Sequence, residues 1–190
     1  SPGEASSASS GVLAGPSNVG PAVPIAPASC SGSGPAQVKG KPVDVLLEFA
    51  CSAKSSMGRL GPRFGVNVHR LSLDVCDLSK ISGYKYALDL VLSNPGCSIH
   101  GSLPCTPWST YTYMNLKRLG SKFRDKLIKM RKKSLIMLMH FLTLARHVMR
   151  LGGNVSFEWP AYCLGWDLLS LKKFIEKYGL KIVKFDGCAL

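Results

Sequence analysis

The chain has 190 residues, 46% of them hydrophobic, and this length and composition allow one folded domain with a single core. Lysine and arginine number 24 against 11 acidic residues, so the formal net charge is +13, which favours an anionic partner such as nucleic acid. The most apolar stretch, residues 134–151, is interrupted by His140, Arg146 and His147, which excludes a membrane-spanning helix.

Cysteine usage indicates the compartment. The chain has seven cysteines, an odd number, and they form no CxxC pair. This pattern favours a reducing intracellular compartment, a class that includes the nucleus, over a disulfide framework or a metal site. The sequence has no signal-peptide pattern at its start, and it does not begin with Met, so we expect a piece of a longer or processed chain.

Residues 1–42 form a leader of biased composition. They hold seven of the twelve prolines, seven of the nineteen glycines and nine serines, and they show no hydrophobic period. Such a segment lacks the apolar surface needed to offset its ordering entropy, so we expect a disordered leader or linker. The folded domain is predicted to comprise residues 43–190.

Beyond the leader, strand-like and helix-like patterns alternate along the chain. Apolar runs bounded by turn residues predict strands at residues 43–49, 66–73, 97–103, 154–159 and 180–187. Apolar residues at steps of three and four predict helices at residues 84–92, 116–151 and 168–179. This alternation predicts an α/β fold with a mainly parallel sheet, whose ligand site lies beyond the carboxyl ends of the strands.

Two of these strand ends carry reactive side chains. Cys105 lies between Pro104 and Pro107, which stiffen the loop that would present its thiol. Glu158 ends an apolar strand, where a carboxylate is costly unless it is paired or functional. The two residues could form an acid and nucleophile pair. The alternative for Cys105 is a buried small hydrophobe, the commoner fate of an isolated cysteine.

The loop after the first strand is rich in small residues, which would let the backbone approach a nucleotide-like ligand at a helix start. Its only glycine is Gly58, so the loop is not a GxGxxG motif, and an ordinary tight turn is an equal alternative.

The predicted long helix is strongly basic. Residues 117–150 contain eleven Lys or Arg residues against the single acid Asp125, which favours contact with a phosphate backbone. The alternative is a solvated helix face. The histidines, among them His100, indicate no site by themselves. The candidate nucleic-acid contacts are Lys117, Arg118, Lys129, Arg131, Lys132 and Lys133.

Three short motifs together resemble those of a known family. Pro104-Cys105 is followed by Trp108-Ser109, and the next strand ends in Glu158-Trp159-Pro160. This order is similar to that of DNA cytosine-C5 methyltransferases, in which a Pro-Cys dipeptide precedes an aromatic-Ser pair and the next strand ends in Glu-Asn-Val. It also resembles methyltransferase-like domains of retroelement, or retrotransposon, polyproteins. The resemblance implies the N-terminal portion of a Rossmann-like, S-adenosylmethionine-dependent methyltransferase fold over residues 43–190, truncated at its C-terminus.

The family resemblance also implies roles for individual residues. Cys105 would add to C6 of a cytosine in DNA, while Glu158 stabilises the protonated N3 and thereby activates C5 for methyl transfer. The base would have to leave the stack to be reached. The cofactor, S-adenosylmethionine, would contact Phe49, Ala50, Cys51, Ser52, Asp77, Ser102, Leu103 and Pro104.

Several positions depart from the family pattern. Ser52 to Ser55 replace the glycines of the cofactor motif, Arg70 lies where an acidic residue would bind ribose, and Trp159 replaces the Asn. The chain stops before the family's arginine motif and target-recognition region, so we expect catalysis to need residues after Leu190. The alternative function is a catalytically silent nucleic-acid-binding module of the same fold within a mobile-element polyprotein. RNA is the alternative nucleic-acid partner.

Overall fold

The computed structural model describes residues 10–14 and 44–185. Its strands are β1 (Ser10–Ala14), β2 (Asp44–Phe49), β3 (Val66–Leu71), β4 (Ser98–Gly101), β5 (Val155–Pro160) and β6 (Lys181–Phe185). Its helices are α1 (Ser56–Leu60), α2 (Ile81–Ser93), α3 (Tyr111–Arg150) and α4 (Leu169–Tyr178), with 3-10 turns at Gly61–Phe64, Thr106–Trp108 and Leu164–Asp167.

All six strands belong to one sheet, in the order β3-β2-β4-β5-β1-β6. The neighbouring pairs among β3, β2, β4 and β5 are parallel, whereas β1 runs antiparallel to both β5 and β6. The predicted α/β class with a mainly parallel sheet is therefore confirmed, and the arrangement is compatible with a Rossmann-like fold.

The expectation of a disordered leader is wrong for Ser10–Ala14. These five residues form β1, with Leu13 opposite Phe157 on one side and opposite Ile182 on the other. The physical reason is backbone pairing, because a strand inserted here gives hydrogen-bond partners to the facing edges of β5 and β6. The domain boundary predicted between residues 42 and 43 therefore excludes a strand of the sheet. The rest of the predicted leader lies outside the described residues.

Helix α3 begins earlier than predicted and is broken once. Ser109 Oγ accepts a hydrogen bond from the backbone N–H of Tyr111 at 3.3 Å, which satisfies one of the free donors of the first turn and allows a start at Tyr111. Gly120, with φ 65° and ψ −148°, separates a short first part of the helix from a long second part. The predicted single helix over residues 116–151 is thus wrong at its beginning and at Gly120.

The core lies between the sheet and the face formed by α2 and α3. The ring of Phe141 in α3 lies 5.4 Å from that of Phe49 in β2 and 5.2 Å from that of Phe157 in β5. Gly101 of β4 is required here, since a Cβ at this position would come within 2.6 Å of the Phe141 ring. Phe49, Phe157 and Trp159 are buried, so this face of the sheet is apolar.

The opposite face of the sheet carries polar side chains, because successive residues of a strand point to opposite faces. We call this set the polar row: Glu48 of β2, His100 of β4, Ser102 just after β4, and Ser156 and Glu158 of β5. The parallel registers pair His100 with Glu48 on one side and with Ser156 on the other. The carboxyl ends of β2, β3 and β4 lie side by side and border the candidate site.

Candidate functional site

A cavity of about 420 Å³ opens beyond the carboxyl ends of β2 and β3 and beside the loop that follows β4. Leu71, Leu78, Met130 and Met137 give it a largely apolar wall, and its polar groups include those of Asp77, Lys133 and Ser134. A cavity of this size, mostly apolar with a few converging polar groups, is typical of small-molecule and cofactor sites.

The structure brings half of the predicted cofactor residues to this cavity. Ala50, Cys51, Asp77 and Pro104 line it. Phe49 and Leu103 are buried in the core, and Ser52 is exposed. Ser102 donates its hydroxyl hydrogen to Glu158 Oε1 at 2.8 Å. The sequence therefore located the edge of the sheet at which the cavity lies. The cofactor contacts stay predictions, and Phe49, Ser52, Ser102 and Leu103 do not line the cavity.

The loop from β2 to α1 turns at Ala50, which adopts a left-handed backbone with φ 62°. A non-glycine residue in this region is uncommon and costs about 1 kcal/mol or more, which the surrounding structure has to offset. Arg70 helps to hold the turn, since its Nη1 donates to the carbonyl oxygen of Ala53 at 2.6 Å. Ser55 donates to Glu48 and accepts from the N–H of Met57 at 3.2 Å, so it caps α1.

Asp77 forms the polar rim of the cavity between β3 and α2. The Ser79 hydroxyl, which donates to Asp77 Oδ1 at 2.6 Å, lowers the pKa of this carboxyl below its ordinary value, and Lys133 nearby acts in the same direction. Lys133 Nζ reaches Asp77 Oδ2 at 3.5 Å. The pair links α3 to the loop that precedes α2, across the rim of the cavity.

The loop that carries Cys105 is fixed by three side chains from other elements. Trp159 Nε1 donates to the Leu103 carbonyl at 2.7 Å, and Arg131 Nε donates to the Pro107 carbonyl at 3.0 Å. Trp108 Nε1 donates to Ser134 Oγ at 2.8 Å, which fastens the following 3-10 turn to α3. The predicted rigidity of this loop therefore has contacts that explain it.

Cys105 itself is half-buried and packs against the core. Its neighbours Pro104 and Thr106 line the cavity, so its backbone lies at the cavity edge. This position differs from that of a fully buried cysteine such as Cys97, which is 3% exposed. Cys105 itself does not line the cavity, so the structure brings its loop to the site while its side chain packs against the core.

Glu158 belongs to the polar row rather than to the cavity wall. Its Oε1 accepts from Ser102, three residues before Cys105, and its Oε2 lies 3.9 Å from His100 Nε2. His100 and the Ser102 hydroxyl lower the pKa of this carboxyl despite partial burial, so it is an ionised acceptor at neutral pH. Ser102 thus links Glu158 to the loop of Cys105, while the pairing of the Cys105 and Glu158 side chains stays a prediction.

The candidate nucleic-acid residues have different surroundings. Lys117 and Arg118 lie before the break at Gly120, while Lys129 and Lys132 are exposed on the long second part of α3. Arg131 is engaged by the Pro107 carbonyl and by Trp108, whose ring centre lies 5.1 Å from the guanidinium carbon. With Lys133 beside Asp77, two of the six predicted phosphate contacts already have partners within the chain.

A second cavity, of about 180 Å³, lies where the two parts of α3 meet. Tyr111 and Asn115 from the first part face Phe123 and Lys126 from the second, and Thr106 borders both cavities. The sequence analysis did not anticipate this space. A glycine inside an otherwise regular helical pattern was the available signal.

Sequence reasoning also missed His100, which is only 7% exposed and whose Nδ1 lies 2.8 Å from Ser156 Oγ. The signal was the alternation in β4, since His100 and Glu158 occupy the same face of adjacent parallel strands. A histidine read without that register carries little information.

Neither the protein-family models, nor the curated proteins, nor the solved structures contain a match to this chain. In residues 10–14 and 44–185, no three His, Cys, Asp or Glu side chains are grouped so as to hold a metal ion. None of the helices described is both long enough and apolar enough to cross a membrane.

Proposed function

We propose that the chain is a methyltransferase-like domain that binds S-adenosylmethionine in the 420 Å³ cavity and acts on C5 of cytosine in DNA. The observation that carries this proposal is the position of one loop, the segment that follows β4. Its residues Pro104 and Thr106, on either side of Cys105, border the cavity, and its residue Ser102 holds Glu158. A nucleophile, a carboxylate and a cofactor-sized space thus share one edge of a parallel sheet.

The residues around the cavity fit the cofactor in size and chemistry. The apolar wall formed by Leu71, Leu78 and Met137 suits the flat face of an adenine ring, and ionised Asp77 can accept from an amino group. Lys133 offers a positive charge at the same rim. When bound, S-adenosylmethionine would supply the methyl group.

The chain's own residues would prepare the base for that transfer. The Cys105 thiolate adds to C6 of the cytosine while N3 takes up a proton from water, and the electrons of the C5–C6 double bond make C5 nucleophilic. After methyl transfer, water takes the C5 proton and the thiolate leaves C6, which restores the double bond. The Glu158 carboxylate accepts hydrogen bonds from the N4 amino group and from protonated N3, which stabilises the charge that develops on the ring. The lowered pKa of Glu158 suits this role, because the group must be ionised to accept.

A catalytically silent nucleic-acid-binding module is the second candidate. The polar groups of the cavity rim are already paired with each other, as Asp77 with Lys133, and Arg70 is bound to Ala53 in the loop after β2. Exposed Lys129 and Lys132 remain free to contact phosphates. This candidate predicts binding of DNA or RNA without binding of the cofactor.

Calorimetry with S-adenosylmethionine separates the two candidates. We expect saturable binding to the wild type and loss of binding in Met137→Trp, because the larger side chain fills the cavity. Met149→Trp is the matched control, since Met149 is also partly buried but lies near the far end of α3. Absence of binding to the folded wild type at millimolar cofactor would contradict the enzyme proposal and favour the binding module.

A further inference from the structure

A connected set of side chains spans β4 and β5 on the polar face of the sheet. Ser156 Oγ lies 2.8 Å from His100 Nδ1, His100 Nε2 lies 3.9 Å from Glu158 Oε2, and Ser102 Oγ donates to Glu158 Oε1 at 2.8 Å. Every link joins one strand or its following loop to the other. The parallel register, which sets His100 opposite Ser156, brings these side chains together.

His100 is unusually placed for a residue with only a packing role. It is 7% exposed, and Nε2 is buried without a hydrogen-bond partner in the described part of the chain. A buried polar atom in that situation destabilises the folded state, and a purely apolar side chain would avoid this cost. Its nearest charged group is Glu158. The ring is therefore oriented with Nδ1 toward Ser156 and with Nε2 toward the candidate catalytic carboxylate of Glu158.

We propose that His100 is a positioning residue for Glu158. The Ser156 hydroxyl donates to Nδ1, which leaves the ring N–H on Nε2, directed at Oε2 of the carboxylate. Ser102 fixes the other oxygen, Oε1, so the carboxylate is held from two sides next to the loop of Cys105. This role rests on the proposed function, in which Glu158 accepts from the nucleobase.

The 3.9 Å separation between His100 Nε2 and Glu158 Oε2 leaves Oε2 open to a bound cytosine. It is beyond hydrogen-bonding distance, so His100 attracts and orients Oε2 without occupying it. Oε2 therefore remains an acceptor for a ring N–H or an amino group of a bound cytosine. This is the arrangement expected of a supporting residue that fixes a reactive side chain and leaves its functional atom open.

Other charged groups on the same face act on this pair. Glu48 is the Cα partner of His100 across β2 and β4, and Arg70 is the partner of Glu48 across β2 and β3. Glu48 is 4% exposed, and its Oε1 is engaged by Ser55. His100 is the first cause of the lowered pKa of Glu158, ahead of Ser102. Removal of the Nε2 group should therefore change the pKa of Glu158 measurably.

The test is a titration of the Glu158 carboxyl by carbon NMR, in protein labelled only at glutamate. The chain has four glutamates, and Glu158→Gln assigns the signal. Two substitutions test the two ring nitrogens of His100 separately. His100→Asn keeps a polar atom near the position of Nδ1 but removes Nε2, while His100→Gln places an amide nitrogen near the position of Nε2.

We expect the pKa of Glu158 to rise in His100→Asn and to stay near the wild-type value in His100→Gln. An unchanged titration in folded His100→Asn would overturn the proposal. If that variant does not fold, His100→Phe decides, because it keeps an aromatic ring at this position and removes both ring nitrogens. The pKa of Glu158 should then rise as well, and an unchanged value would overturn the proposal equally.

A second readout separates this inference from the proposed function. In the chain extended past Leu190, with S-adenosylmethionine and DNA containing 5-fluorocytosine, His100→Asn should slow covalent adduct formation by up to about 10²-fold through misplacement of Glu158, and His100→Gln should restore much of the rate. Equal adduct rates in both variants and in the wild type would count against the positioning role. A wild type that forms no adduct would defeat the proposed function, while the titration still decides whether His100 holds Glu158.

Discussion

Cys105 and Cys51 follow neighbouring strands, and the surroundings of Cys51 disfavour its thiolate. Burial raises the pKa of the Cys51 thiol to about 11, and the nearby Glu48 carboxylate adds to the rise. At pH 7 only about one Cys51 in 10⁴ is therefore a thiolate, the form that reacts. Although Cys51 lines the cavity, it is a poor substitute nucleophile. Burial likewise raises the pKa of Cys163 to about 11.

The residue-scale prediction concerns the covalent step. With S-adenosylmethionine and DNA containing 5-fluorocytosine, the chain extended past Leu190 should form an adduct that resists denaturation, because fluorine blocks the elimination that releases the enzyme. Cys105→Ser should abolish the adduct, since a hydroxyl is a far poorer nucleophile at neutral pH. Glu158→Gln should slow its formation by about 10²–10⁴-fold. Denaturing gel electrophoresis and mass spectrometry measure both effects.

Cys97→Ala serves as the control for loss of a thiol from the core, since Cys97 directly precedes β4, at the end of the strand opposite the Cys105 loop. It should lower the melting temperature and leave the adduct intact. An adduct that persists in Cys105→Ser would transfer the covalent role to another thiol, and the raised pKa of Cys51 would then require a different account.

At the scale of elements, α3 combines two roles that its charge pattern does not separate. Arg131 donates to the Pro107 carbonyl and lies over Trp108, so it supports the loop of Cys105. Lys129 and Lys132, on the same helix, are exposed. A run of basic residues thus divides into side chains that hold the fold and side chains available for phosphates.

The element-scale prediction follows from that division. The double variant Lys129→Ala/Lys132→Ala should weaken binding to duplexes of every sequence and lower the salt dependence, the slope of log K against log salt, by about 2. Lys85→Ala/Lys173→Ala, two exposed lysines on α2 and α4, is the matched control and should change binding little. Fluorescence anisotropy at several salt concentrations provides the slopes.

Arg131→Ala should behave differently from the lysine variants. Loss of a charged hydrogen bond and of a cation–π contact should cost about 2 kcal/mol of stability, seen as a lower melting temperature. If the double lysine variant binds as tightly as its control, the exposed face of α3 is merely solvated.

At the scale of the whole molecule, the sequence predicted what local pattern determines. The apolar runs at β2 and β5 and the helical period of α4 located these elements to within about two residues, and the strand ends identified Cys105 and Glu158. The role of His100 was not predictable from local pattern, because it depends on the register between β4 and β5. The break at Gly120 was not predictable either, because a helical period in the sequence continues across it.

Strand β1 is the clearest case of non-local structure. Ser10–Ala14 has no alternation that predicts a strand, and its partners in β5 and β6 lie more than 140 residues later in the chain. Since β1 is the only neighbour of β6 among the described strands, β1 is the link between β6 and the parallel strands. The two ends of the described chain therefore meet in one sheet.

This link gives the prediction for the whole molecule. Deletion of residues 1–14 should leave β5 with an unpaired edge and separate β6 from the sheet, with loss of backbone hydrogen bonds that each contribute about 0.5–1.5 kcal/mol. A loss of about 2 kcal/mol would lower the melting temperature by about 4–8 °C in a domain of this size. Hydrogen exchange should accelerate in Lys181–Phe185 while Asp44–Phe49 and Ser98–Gly101 stay protected, because those central strands keep their neighbours. Deletion of residues 1–9 retains β1 and is the matched control, with melting and exchange close to those of the full chain. Identical melting and exchange in the two deletions would show that β1 does not join β5 to β6 in solution.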